Sequence, residues 1–147
     1  MEIKDLLSKN NTLFLDTSVF IYYIEKNNKY FDIVNQIFST QNQNIKFITS
    51  TITLLEVLTQ PLKLGNHDLA KQYSDIILHS ANILVLPVDS EIAFKSAQLR
   101  AKYNFIKTPD SIQLAISEIS KSNIFITNDT KLKNITEISI TLLDELV

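Results

Sequence analysis

The sequence contains no cysteine and only one glycine, Gly65. Without cysteine there can be no disulfide, no thiolate zinc site and no cysteine nucleophile. The absence also fits a reducing compartment, so a cytoplasmic location is expected. A single glycine excludes a Walker A loop and a G-x-G-x-x-G fingerprint, and with them any nucleotide cradle built from glycine backbone. Long apolar runs are missing too. The longest clean one, Val19 to Ile24, is far too short to cross a bilayer, so no membrane association is expected. The first ten residues, MEIKDLLSKN, mix acids with lysines and do not read as a signal peptide. Arginine is nearly absent as well, with Arg100 alone.

What remains is ordinary for a globular chain. The 147 residues are 45% hydrophobic and 20% charged, which suits one domain, residues 1–147, with a full core and no staples. The formal net charge of −2 runs against the basic balance usual in nucleic-acid binders. Acids clustered in a site would lower the sum, and a bound cation or a basic partner would offset them.

Hydrophobic spacing divides the chain into alternating strands and helices. Thr12 to Leu15, Lys46 to Thr49, Ile83 to Leu86, Asn123 to Thr127 and a last segment near Ile138 to Leu142 read as strands. Helices are expected over Thr17 to Glu25, Tyr30 to Phe38, Ser50 or Thr51 to about Gln60, Asn66 to Ser80, Asp89 to Tyr103 and Thr108 to about Lys121. Pro61 should stop the third of these. In the last, Thr108 is expected to cap and Pro109 to occupy the first helical position. Strands that are continuous apolar runs imply a sheet covered on both faces. The expected fold is therefore α/β, three layers deep, with a mostly parallel central sheet of about five strands. Ligands of such sheets bind beyond the carboxyl ends of the strands.

Four acids stand alone in stretches composed for burial. Asp16 is the only charged residue between Lys9 and Glu25, and Glu56 the only one between Lys46 and Lys63. Asp110 stands alone between Lys107 and Glu118, and Asp129 between Lys121 and Lys131. A buried carboxylate without a partner costs several kcal/mol, and no nearby arginine or lysine is placed to offset it. A divalent cation can serve several acids at once. Oxygen-only ligands suit Mg²⁺ or Mn²⁺, and such an ion can activate water for phosphodiester hydrolysis. Each acid also has a plainer role. Asp16 could cap a helix, Asp110 could complement a helix dipole and Asp129 could form a turn. Glu56 is mid-helix in Leu-Leu-Glu-Val-Leu, where neither cap nor turn applies.

At these residues the chain resembles the PIN-domain ribonucleases, in particular VapC-type toxins of type II toxin–antitoxin pairs. The resemblance spans Leu13 to about Leu143, leaving residues 1–11 as an N-terminal extension without an assigned role. It rests on Leu15-Asp16-Thr17-Ser18, Leu55-Glu56-Val57, the run Lys107 to Ala115 (KTPDSIQLA) and Thr127-Asn128-Asp129, in that order. It implies a divalent-metal-dependent endoribonuclease with Mg²⁺ or Mn²⁺ at the carboxyl edge of the sheet. Asp16 and Asp110 would be direct ligands, Glu56 a ligand or water-positioning base, and Asp129 an outer or second-ion ligand. Ser18, Thr127 and Asn128 would orient the carboxylates. Lys63, Lys102, Lys107, Lys131 and Lys133 are candidate RNA phosphate contacts. The resemblance further implies an RNA substrate, a cognate antitoxin protein and a homodimer. Ser111 departs from the alanine common at its position.

Two other readings share these features. A phosphotransfer enzyme or receiver domain also carries acids at strand ends. Yet a haloacid-dehalogenase-type phosphatase needs a second Asp where Ser18 stands, and a receiver needs adjacent acids after its first strand. A PIN-like domain that binds RNA or protein without cutting would typically lack one or more of the four acids, and all four are present.

Overall fold

In a computed structural model, which describes residues 1–146, the apolar runs become five parallel strands: β1 (Thr12–Leu15), β2 (Lys46–Ser50), β3 (Ile83–Leu86), β4 (Ile124–Thr127) and β5 (Ile140–Leu142). Their spatial order is β3-β2-β1-β4-β5, and every neighbouring pair is parallel. β1 is central. Leu13, Phe14 and Leu15 are completely buried because both faces of the sheet are covered. Strand periodicity sends their side chains to opposite sides. Leu13 and Leu15 join one core cluster, whereas Phe14 joins the other and stacks on Phe125, its register partner in β4, at 4.9 Å.

Among the described residues seven α-helices cover the faces: α1 (Ile3–Lys9), α2 (Thr17–Ile24), α3 (Phe31–Phe38), α4 (Thr51–Lys63), α5 (His67–His79), α6 (Ser90–Lys102) and α7 (Thr108–Ile119). Residues of α1 to α5 build the first cluster, and those of α6 and α7 the second, giving the three-layer α/β/α arrangement. Most helix starts follow their caps. The side chains of Ser50, Asn66 and Asp89 accept from Ile52, Leu69 and Ile92 N–H.

The structure differs from the sequence reading in three places. Pro61 does not end α4, which continues to Lys63. The ring is buried, and a proline this close to the end removes only one bond of the last turn. The true stop is Gly65, at φ +69°, where Gly65 N–H bonds Leu62 O and Asn66 N–H bonds Pro61 O. At α7 the flanking residue is Lys107, Thr108 is already helical and no side chain caps the end. The first eleven residues, to which the sequence assigned no role, carry a helix: α1 buries Ile3, Leu6 and Leu7 in the main core. No helix among the described residues is long and apolar enough to cross a membrane.

Chain order explains where the acids emerge. From β1 the chain steps outward to β2 and β3, then returns to the other side of β1 as β4. The connections leave the sheet in opposite directions beyond β1 and β4, which opens a crevice at their carboxyl ends. Asp16 follows β1, and Asn128 and Asp129 follow β4. The Asp16 N–H donates to Ile126 O at 3.0 Å, fixing that corner.

Candidate active site

Asp16 caps α2 with its own carboxylate. Oδ1 accepts from Thr17 N–H at 2.8 Å, and Oδ2 accepts from the Thr127 hydroxyl at 2.6 Å. Burial pushes the Asp16 carboxyl above its ordinary value. The bonds from Thr127 and Thr17 oppose that shift, and the negative charges of Glu56 and Asp129 add to it. Asp110, in the first turn of α7, is also raised. Burial is the largest cause, followed by Asp16 and Asp129, while Lys107 and Lys131 pull it back. Residues distant in sequence are thus near enough to repel one another.

Asp129 turns its Oδ1 to Lys131 N–H at 3.0 Å and caps a 3-10 turn, Thr130–Asn134. Its own N–H donates to the Thr127 hydroxyl at 3.1 Å. Thr127 therefore bridges two of the acids. Asp110 and Asp129 line a cleft of about 80 Å³ together with Phe105, Lys107, Lys131 and Leu132. Cavities of about 400 Å³ lie elsewhere, between α1 and α3 and at the amino ends of β2 and β3, without such a set of acids.

Glu56 projects from α4 on an exposed position, where its Oε1 accepts from the Thr17 hydroxyl at 2.8 Å. The premise of burial therefore holds only in part: Asp16, Asp110 and Asp129 are half-buried, and Glu56 is exposed. Among the described residues no three acidic or histidine side chains converge closely enough to hold a metal ion as they stand. Like charges repel, and Glu56 and Asp129 are each held by a local hydrogen bond instead.

The residues assigned to orient the acids divide. Thr127 does so. The Ser18 hydroxyl has no hydrogen-bond partner among the described residues. Asn128 donates to the Tyr22 hydroxyl at 2.8 Å rather than to an acid. The lysines divide as well. Lys107 and Lys131 line the cleft, but Lys102 is paired with Glu137. Lys133 is paired with Glu145 and donates to Ile140 O, and Lys63 lies two turns along α4 from Glu56.

Sequence reasoning missed Thr17 and Gln113. Gln113 is buried in α7, three residues after Asp110. It donates to Thr53 Oγ1 at 2.7 Å and more weakly to Thr17 Oγ1 at 3.5 Å, and it accepts from the Ser50 hydroxyl. The signal was present: an amide inside the apolar run Ile112 to Ile116 is as isolated as Glu56 in its own helix.

Comparison with known proteins agrees with this geometry. The PIN domain pattern matches residues 13–138. No curated protein gives a match. Among solved structures, the fold is similar to the DNA-bound VapBC of Salmonella typhimurium, with a TM-score of 0.73 and 21% identity over 90% of this chain and 98% of that one. It is similar to VapBC-1 of nontypeable Haemophilus influenzae, with a TM-score of 0.72 and 18% identity over 90% and 98%. It is also similar to VapC20 of Mycobacterium tuberculosis, described as a sarcin-ricin loop cleaving toxin, with a TM-score of 0.68 and 15% identity over 86% and 98%. With its sheet order, its four acids and that match together, this chain belongs to the PIN domain family.

Proposed function

We propose that the chain is a divalent-metal-dependent endoribonuclease that hydrolyses RNA phosphodiester bonds, and that it is the toxin of a type II toxin–antitoxin pair. The observation that carries the reading is that Thr127 ties Asp16 to Asp129, and Asp129 shares a cleft with Asp110, at the switch point of a parallel sheet. A donor set made only of carboxylate oxygens fits Mg²⁺ or Mn²⁺, and the repulsion among them favours a cation.

Asp16 and Asp110 would hold the ion, with Asp129 as an outer or second-ion ligand and Glu56 positioned to orient water. A bound ion supplies the positive charge that makes water nucleophilic near neutral pH and steadies charge on the phosphoryl oxygens. The chain does the rest. Thr127 and the Thr17 N–H fix the Asp16 carboxylate. The Thr17 hydroxyl holds Glu56 through Oε1, leaving Oε2 to accept a proton from water. Lys107 and Lys131 attract the RNA backbone to the cleft. The solved relatives include VapBC complexes, so a cognate antitoxin is the partner proposed here, together with a homodimer and a cytoplasmic location.

A second reading, a PIN-like domain that binds without cutting, is favoured by the lack of three converged donors among the described residues. One experiment separates the two. The nuclease reading expects RNA cleavage with Mg²⁺ or Mn²⁺, none with EDTA, and none from a folded Asp16→Asn variant. Cleavage by Asp16→Asn at the wild-type rate would remove this residue from the mechanism. Metal-independent binding of RNA without cleavage would favour the second reading.

A further inference from the structure

Of the eight phenylalanines, only Phe94 and Phe105 are exposed. Phe105, 42% exposed, lies between α6 and α7 and lines the cleft that holds Asp110, Asp129, Lys107 and Lys131. It is not a loose loop residue. Tyr103 meets it edge-on, with ring centroids 5.9 Å apart at 60°. Tyr103 is itself tied down, since its hydroxyl donates to Glu137 at 2.9 Å and its carbonyl accepts from Ile106 N–H at 3.2 Å. The next residue, Ile106, is buried in the second core cluster. An apolar ring thus keeps a large part of its surface open to water beside two lysines.

The cleft decides what the ring can meet. Its volume of about 80 Å³ has room for a few waters or one phosphoryl group, but not for a nucleobase. A phosphate drawn in by Lys107 and Lys131 therefore leaves its nucleoside outside, beside Phe105. Unpaired bases of single-stranded RNA stack on aromatic side chains, and the contact tolerates any base because each has a π-face. We propose that Phe105 is the platform on which a base adjoining the scissile phosphate stacks. The proposal rests on the nuclease reading and adds to it a substrate requirement: the RNA must be unpaired at that nucleotide.

The test uses a labelled single-stranded RNA and the same RNA lacking the base next to the cleavage position. Phe105→Ala should raise KM roughly 5- to 100-fold with kcat nearly unchanged, because the stack is made equally in ground and transition states. Phe105→Trp should restore KM, and Phe105→Leu should not. The base-deleted RNA should bind wild type as weakly as the intact RNA binds Phe105→Ala. Phe94→Ala, at the more exposed ring on α6, should behave as wild type. Fluorescence anisotropy in an Asp16→Asn background reads the same losses without cleavage. RNA binding that is undetectable or unchanged by Phe105→Ala, or rescue by Leu as complete as by Trp, overturns the stacking role. Metal-dependent cleavage that persists in that case leaves the nuclease assignment standing. Loss of cleavage by wild type, with the anisotropy differences retained, fails the nuclease assignment alone.

Discussion

Thr127→Val is the sharpest probe of the site, because valine keeps the shape of a fully buried side chain and removes only its hydroxyl. That hydroxyl donates to Asp16 Oδ2 at 2.6 Å and accepts from Asp129 N–H at 3.1 Å. A hydrogen bond to a charged group contributes about 1.5–3 kcal/mol and a neutral one about 0.5–1.5 kcal/mol. Asp129 is only half-buried, so its N–H regains part of its bond from solvent, and the expected loss is about 2–3 kcal/mol. For a chain of this length that lowers Tm by about 4–12 °C. The pH dependence has a definite sign. The bond lowers the Asp16 pKa, so its stabilisation is present when the carboxylate is ionised and fades as pH falls and the group protonates. Because burial already raises this carboxyl, the gap between variant and wild type should begin to narrow above the ordinary carboxylate range. Urea denaturation at about pH 7 and about pH 4 measures the gap. Titration calorimetry with Mn²⁺ should show affinity reduced about 10- to 100-fold. A gap below about 0.5 kcal/mol near neutral pH, or one independent of pH, would refute the claim that Thr127 holds an ionised Asp16.

Raised carboxyls at Asp16 and Asp110 make the metal-free fold less favourable as pH climbs past about 4, where the unfolded chain ionises freely. Asp144 and Glu145, held low by hydrogen bonds to Lys29 and Lys133, act in the opposite direction, so the effect is read as wild type against Asp16→Asn. Asp16→Asn should leave the metal-free protein at least as stable near neutral pH and abolish the thermal stabilisation by Mn²⁺, which at a hundredfold excess over Kd is about 2.7 kcal/mol. A full Mn²⁺ shift in that variant would contradict the ligand assignment. Gln113→Ala takes the acceptor from the Ser50 hydroxyl and one of the bonds from Thr53, which keeps Thr49, and should cost about 1–3 kcal/mol by urea denaturation; a neutral result would mean the network is slack. Leu6→Ala should cost about 2–5 kcal/mol if α1 belongs to the core, whereas a near-zero change would return residues 1–11 to the role of an extension.

Much of the fold was legible because its signals are local. Strand runs, the helix starts at Ser50 or Thr51 and at Asp89, and the spacing of α5 depend on residues a few positions apart. Pro61 misled because proline is tolerated when a Gly65 cap lies just beyond it. The N-terminal helix was not seen because its buried triplet, Ile3, Leu6 and Leu7, spans too short a stretch for periodicity to stand out. The four acids were legible for a different reason: each interrupts an uncharged stretch.

From sequence alone came the element order, the parallel sheet and the four isolated acids proposed to carry the chemistry. Those follow from periodicity and from the cost of placing a charge among apolar neighbours. The tertiary structure decided which of those residues act on one another. It set Thr127 against Asp16 across 111 positions and Thr17 against Glu56 across 39, left Ser18 without a partner among the described residues, and divided the lysines into those on the cleft and those paired elsewhere. Such pairings depend on strand order and on the angle at which each helix leaves the sheet, and no local window of sequence contains either.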